Sequence, residues 1–445
     1  GYAAALYAHN FGLSVALVEK ERVGGTCLIR GCIPAKTWIQ SAEVYSTVAR
    51  AEEFGVMTSD PEFVWPKALE RKQKVVDGLV KGLSGLLKQR GVDVIDGHGR
   101  LSGPTEITAT ADDGTETSIS AKAIIIATGS EAASIPGYDI DGQKIVTSDH
   151  ALDWTEQPKR VAIIGAGAIG CEFASFLAEI GTEVHLFEME GQLVPGMEPE
   201  AAKVLAREFR KKKIETHLGI GVGPAQITDN GVTVPYKDTS CEVDVVLVAV
   251  GRRPVTADVG LDSVGLAPKR GFVEVDTSTM QTSVESIYAV GDIVSGTPQL
   301  AHVAFAEAIA AVTHIASGKT ASVDYNAIPM VVYTHPEIAW VGKTAADAAD
   351  AGLDVSATEH GMRGVGRAII LGEISGIVKI VAETDGPIIG ATVVGPGAGE
   401  LIHELMYSVG WEAMPSEAAA FIHAHPTVSE AIGETLMAAA GRGLH

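Results

Sequence analysis

The chain has 445 residues, a formal net charge of −22, 46% hydrophobic but only 5% aromatic residues, and 50 glycines. That length suits roughly two to four domains, and an aliphatic, glycine-rich composition favours an α/β enzyme over a β-sandwich or a disordered chain. The short basic run at residues 210–213 is too little to bind nucleic acid, and the apolar runs at 122–127 and 243–250 are far too short to span a membrane.

The chain begins with small residues from Gly1 to Leu6, a stop at Gly12, and an apolar stretch from Val15 to Glu19. This reads as a helix, a turn and a strand ending in an acid. The same order returns from Gly170 through Gly181 to Glu188, with Gly1 aligned on Gly170. A strand and two further glycines are therefore expected upstream of residue 1.

Residues 24–36, GGTCLIRGCIPAK, follow. Cys27 and Cys32 are five positions apart, and a bond closing so short a loop gains little chain entropy. The pair is better suited to opening and closing than to stapling. Two buried thiols, or half a zinc site, are the alternatives. Zinc would need two more ligands nearby, but Cys171 and Cys241 stand alone, so no metal site is expected. Four cysteines in no regular framework fit a reducing, cytoplasmic setting. Lys36 lies four residues after Cys32, so a helix begun near Pro34 would turn it back toward the thiols.

Residues 65–91 read as a helix, and 101–119 as a hairpin about Asp113-Gly114. Residues 123–130 form an apolar strand running into Thr128-Gly129-Ser130. The second repeat is complete: a strand at 159–164, the glycines Gly165, Gly167 and Gly170 opening a helix, and a strand ending at Glu188. This is the dinucleotide fingerprint in its required context. Glu172 lies just inside that helix. A later strand ends at Gly251, and another ends in Gly291-Asp292 before a small-residue helix from about Ala301 to Ala316. From Tyr325 the runs at 331–333, 369–371, 376–381 and 388–394 suggest an antiparallel sheet, with helices at 399–410 and 427–440. A glutamate beside a histidine fixes the ring tautomer and raises its basicity, so His425 with Glu430 is the base candidate.

A dithiol that joins a redox cycle needs an electron acceptor, a reachable substrate thiol and a base. A flavin is the natural acceptor, passing hydride to a nicotinamide, and two dinucleotide lobes match two cofactors.

Residues 24–36, 165–172, 289–292 and 423–430, with the tail 438–445, carry a resemblance over essentially the full length to the flavin-dependent pyridine nucleotide-disulfide oxidoreductases. The similarity is strongest to the branch that oxidises dihydrolipoamide. The resemblance implies an α/β fold of two Rossmann-like dinucleotide-binding domains plus a C-terminal α+β dimerisation domain. Its expected divisions are an FAD domain at 1–148, an NAD domain at 149–275, a return to the central domain at 276–325 and an interface domain at 326–445.

The same resemblance implies site roles. Cys27 is the interchange thiol and Cys32 the charge-transfer thiol beneath the flavin, with Lys36 and Glu172 paired beside the ring. Glu19 holds the FAD ribose, while Gly99, Thr128, Gly129, Ser130 and Asp292 line the same cofactor. Gly1, Lys20, Gly25, Thr26, Ala301 and His302 join the cofactor-binding set. Gly165, Gly167, Gly170, Glu188 and Gly251 line NAD, and Glu188 selects it over NADP because a carboxylate repels a 2′-phosphate. His425 and Glu430 form the acid-base dyad and reach the partner subunit's disulfide. A homodimer is therefore implied, working on the lipoyl domain of a 2-oxo acid dehydrogenase or glycine cleavage complex. Ile29 and Trp38 depart from the residues commoner in the family. The competing expectations are an NAD(P)H-dependent reductase of a small disulfide and a non-catalytic structural subunit.

Overall fold

The computed structural model describes residues 1–443. Leu444 and His445, the end of the tail motif, lie outside the described residues. The chain divides into two compact units. The first comprises Gly1–Thr37, Pro66–Ala133 and Arg252–Val323, and the second Trp38–Trp65, Ser134–Gly251 and Asp324–His445.

In the first unit the helix Tyr2–Ala8 packs on the helix Ala301–Ser317 through Ala4, Ala8, Ala308 and Val312, side chains small enough to let the two backbones approach. Strand Ala16–Glu19 pairs in parallel with Asp93–Asp96, and Ile124–Ile126 with Ile287–Ala289. The helix Trp65–Gln89 buries Val76, Val80, Leu83 and Leu87, one stripe at helical spacing. The expected hairpin is present as Glu106–Thr110 against Glu116–Ser120, with Gly114 at φ +83° in its turn. A further strand, His98–Gly103, makes it a three-stranded meander.

In the second unit a parallel sheet runs in the order Glu215–Leu218, Glu183–Glu188, Arg160–Ile164, Val245–Val248, Ile145–Thr147. Its inner strands are β-branched runs buried on both faces, as parallel sheets require. Strand Arg160–Ile164 has its successor on one side and Val245–Val248 on the other, the switch point where open α/β sheets bind ligands. An antiparallel meander, Gln226–Thr228, Gly231–Tyr236 and Thr239–Val243, adjoins it.

The remaining sheet of this unit is antiparallel, in the order Met330–Val332, Glu337–Gly342, Ile388–Gly395, Ile377–Glu383, Val355–Gly361. Helices Ala398–Gly410 and Glu430–Ala439 pack on it. One expectation is corrected here. Residues 369–371 are the end of a helix, Gly366–Leu371, and not a strand. Gly372 closes that helix in the left-handed region, and Ile369 and Ile370 stay exposed. No helix among the described residues is long and apolar enough to cross a membrane.

Candidate active site

The cysteine segment is two helices broken by one glycine. Cys27 sits in Gly25–Arg30 and Cys32 opens Cys32–Ala49, so the second helix starts two residues earlier than Pro34 suggests. A β-carbon on Gly31 would lie 2.9 Å from the Thr26 carbonyl oxygen and 3.1 Å from Cys27 Cα. Only glycine allows that approach, and the approach brings the thiols together. Both are thiols, half-buried. The Cys32 thiol hydrogen-bonds Cys27 and, with burial, pushes the Cys27 thiol well up, while Lys36 pulls it down. Tyr2 flanks the pair: burial and then the two sulfurs raise its phenol. Gly24 at φ +140° and Gly25 at φ +64° make the entry turn that any β-carbon would strain.

The first unit holds most of the expected FAD residues. Gly1 lies against both parallel pairs, with its β-carbon position 3.7 Å from Ala127 and 3.9 Å from Leu17. Burial raises the Glu19 carboxyl, against a hydrogen bond from the Lys20 backbone N–H. Gly99 passes within 3.2 Å of Val18 at its β-carbon position, so its glycine serves packing on the strand that ends at Glu19. The Thr128 hydroxyl donates to the Val255 carbonyl, and the Val255 N–H to Gly129 O at 2.9 Å. Ser130 Oγ hydrogen-bonds the Asp292 carboxylate.

Two residues absent from the sequence reading complete this cluster. Arg252 donates from Nε to Ser130 Oγ and from a terminal nitrogen to Ser130 O, both at 2.7 Å. Glu307, fully buried, accepts the Gly291 N–H at 2.6 Å and holds the turn that presents Asp292. A lone acid in the apolar helix Ala301–Ser317 was the available signal for Glu307. For Arg252, no local pattern points across 122 residues to Ser130. Ala301 and His302 begin a helix that no side chain caps, as a pyrophosphate site requires. An acceptor carboxylate for hydroxyls and an uncapped helix start are the donor and acceptor set an FAD needs, so the residues fit the group.

The second unit holds the expected nicotinamide residues. Gly165, at φ +101°, passes so close to the Ala249 carbonyl that a β-carbon would sit 2.5 Å from its oxygen. Gly170 sits against the Gly165 carbonyl, and Gly167 precedes a helix that no side chain caps. Glu188 accepts the Ala166 N–H at 2.8 Å and the Glu190 N–H at 3.0 Å, so its carboxylate borders the glycine turn. Gly251, φ +122°, follows the strand Val245–Val248 across the switch point. These features fit a dinucleotide. Glu172 is buried and accepts the Tyr333 N–H at 3.0 Å. Trp38 is fully buried, packs tilted against Trp65 with ring centroids 4.3 Å apart and donates to Leu152 O, and these contacts account for its size.

Near the C-terminal end of the same unit, His423 and His425 each meet a carboxylate. His425 Nδ1 donates to Glu430 at 2.8 Å, and the other Glu430 oxygen accepts the Thr427 N–H at 2.9 Å. The Thr427 N–H and then His425 hold the Glu430 carboxyl below the usual carboxylate range. The helix starts at Glu430, so Pro426 and Thr427 belong to the turn before it. His423 Nε2 pairs with Glu404 at 2.7 Å, which raises its pKa. Exposure separates the two rings: the His425 side chain is 78% exposed and that of His423 only 13%. His425 therefore offers a free Nε2, while His423 is tucked against Gly433, whose β-carbon position is 2.6 Å away. Phe421 and Ile422, just before them, are exposed at 78% and 98%, and Trp411 at 76%, an apolar surface suited to a second chain.

The family model described as pyridine nucleotide-disulphide oxidoreductase matches residues 1–308, and that of its dimerisation domain matches 328–436. The chain is 37% identical to a dihydrolipoyl dehydrogenase of Bacillus subtilis over 465 aligned residues, covering 100% of this chain and 97% of that protein. It is 38% identical to one of Chlamydia muridarum, covering 100% and 96%. The solved structure of LpdA from Mycobacterium tuberculosis superposes with a TM-score of 0.91 at 27% identity, over 98% of this chain and 97% of that one.

Proposed function

The chain belongs to the pyridine nucleotide-disulphide oxidoreductase family, and from that premise we propose that it oxidises dihydrolipoamide to lipoamide with reduction of NAD+. The observation that carries this reading is the contact between the Cys27 and Cys32 thiols across Gly31. A scaffold has no use for such a pair, nor for a histidine held by a carboxylate.

The resting enzyme in this reading carries a Cys27–Cys32 disulfide. His425 takes a proton from one substrate thiol at Nε2 while Glu430 holds the Nδ1–H. The substrate thiolate attacks Cys27 Sγ, and the Cys27–Cys32 bond breaks, leaving Cys32 as thiolate. The second substrate thiol then attacks the substrate sulfur of the mixed disulfide and the bond to Cys27 breaks, releasing lipoamide; the proton held by His425 returns to Cys27 and that of the second thiol passes to Cys32, leaving two enzyme thiols. Electrons and protons balance, with substrate dithiol becoming disulfide and enzyme disulfide becoming dithiol. The Lys36 charge opposes the rise that the Cys32 contact and burial impose on the Cys27 thiol. FAD, when bound, supplies the acceptor for the thiol electron pair and the route to NAD+.

We assign Glu19, Gly99, Thr128, Gly129, Ser130, Asp292, Ala301 and His302 to FAD, with Gly1, Lys20, Gly25 and Thr26. Lys36 and Glu172 are assigned to its ring. Gly165, Gly167, Gly170, Glu188 and Gly251 are assigned to NAD, Glu188 disfavouring a 2′-phosphate. The domain divisions are assigned at 148, 275 and 325. The family's dimerisation domain and the exposed Phe421 and Ile422 support a homodimer, in which His425 serves the partner subunit's disulfide. A lipoyl domain in the cytoplasm is the proposed physiological substrate carrier.

The test compares two reactions of the FAD-loaded enzyme: dihydrolipoamide with NAD+, and glutathione disulfide with NADPH. The first should dominate. Faster turnover of the second would replace this reading with that of a small-disulfide reductase.

A further inference from the structure

The tripeptides Glu183-Val-His185 and Glu215-Thr-His217 are two copies of one pattern, acid, spacer, histidine, on neighbouring parallel strands. Strand alternation puts the acid and the histidine of each copy on one face. The register sets His185 opposite Glu215 and Phe187 opposite His217, so the copies are offset by two residues. The result is a staircase of Glu183, His185, Glu215 and His217 along one face of the sheet edge. None of these four side chains takes part in the redox chemistry above.

Their atoms converge. His185 Nδ1 lies 3.3 Å from a Glu215 carboxylate oxygen and 3.5 Å from His217 Nε2. One ligand atom from each of His185, Glu215 and His217 lies within 4.8 Å of the other two. A tetrahedral ion with bonds of about 2.0–2.2 Å holds its ligand atoms about 3.3–3.6 Å apart. The other His185 nitrogen, Nε2, is 3.3 Å from Glu183. If Nε2–H donates there, Nδ1 is left as a bare lone pair aimed at a carboxylate oxygen and at a second imidazole nitrogen. With the His217 proton on Nδ1, its Nε2 is a third acceptor facing the other two, a set that calls for a cation between them; with the proton on Nε2 the same contact is a hydrogen bond to His185 Nδ1, which an arriving cation displaces. A carboxylate on the far nitrogen of a ligating histidine is also how metal sites fix the tautomer.

The site is built before any ion arrives. The His185 side chain is only 10% exposed. The His217 ring stacks on Phe187 at 4.4 Å and 13°, and packs on Tyr236 of the adjoining meander at 4.7 Å. The Glu183 and Glu215 side chains are 58% and 62% exposed, which leaves a solvent-side approach and room for water as a fourth ligand. We propose that His185, His217 and Glu215 bind a borderline divalent cation of the Zn2+ class, with Glu183 positioning His185. Two imidazoles and one carboxylate suit such an ion better than Mg2+ or Ca2+, which prefer oxygen. Bound there, it clips the edge strand Glu215–Leu218 to Glu183–Glu188, the strand that ends at the nucleotide-selecting Glu188.

The probe is Zn2+. The full-length, FAD-loaded enzyme is stripped with a chelator, kept in its disulfide form so that Cys27 and Cys32 cannot compete, and dialysed against Zn2+. One equivalent per chain is expected by elemental analysis. His217→Phe keeps the aromatic stack but removes the nitrogen, and Glu215→Gln removes the charge at an exposed position. Each should lose the equivalent while retaining dihydrolipoamide turnover, which reports that the variant has folded. Glu183→Gln should weaken affinity about ten- to a hundredfold without changing the stoichiometry. No uptake by the parent enzyme, or uptake that His217→Phe and Glu215→Gln leave unchanged, would overturn the proposal.

Discussion

His425 and Glu430 are joined at 2.8 Å, and the same carboxylate takes the Thr427 N–H through its second oxygen. The backbone thus aims the acid, and the acid aims the ring. Glu430→Gln keeps the shape but loses the carboxylate that holds the ring. Turnover should fall about ten- to a thousandfold, with the acid limb of the pH profile displaced. Because the Glu430 carboxyl is held below its ordinary value, its support of the ring is present above that ordinary value and fades only as pH falls through the depressed one. A pH profile of kcat identical to that of the parent enzyme would rule out the dyad.

Gly31→Ala tests whether the helix break positions the sulfurs. Its β-carbon meets backbone atoms of Thr26 and Cys27, which cannot swing aside as a side-chain end can. About 1–3 kcal/mol of destabilisation is expected from the overpacking, seen as a lower denaturation midpoint. Slower disulfide formation between Cys27 and Cys32 should accompany it, measured by thiol titration after oxidation.

Glu188→Gln addresses coenzyme choice. A hydrogen bond to a charged group is worth about 1.5–3 kcal/mol, so the preference for NAD+ over NADP+ in kcat/KM should drop about ten- to a hundredfold. An unaltered ratio would mean that another group reads the ribose.

His423 offers a pH test separate from catalysis. Glu404 raises its pKa above 6.5, so the stabilisation is complete below pH 6.5 and is lost as pH rises through the raised value. Glu404→Gln should therefore lower stability on the acid side, by about 0.5 kcal/mol for a pair that solvent partly screens, and hardly at all at high pH. Denaturation midpoints of both proteins across that range provide the measurement.

The chemistry of the site was readable where it is carried by spacing along the chain. Cys27, Gly31 and Cys32 lie within six residues, and Gly165 to Gly170 within one turn and the first residues of the helix it opens, so neighbours in sequence are neighbours in space. Arg252 and Glu307 were not readable in this way, since each reaches its partner only after long segments fold back. The run 369–371 was apolar enough for a strand, but a short run of that kind does not determine its own conformation. Gly372 and its surroundings closed it as a helix.

The amino-acid order alone therefore determined the closeness of Cys27 and Cys32, the glycine turn from Gly165 and the pairing of His425 with Glu430, because each depends on covalent distance and local backbone geometry. The tertiary structure decided whether His423 or His425 keeps an open nitrogen, and that His185, Glu215 and His217 share one face. Those outcomes rest on burial and on strand register, which many distant contacts set together and no short stretch encodes.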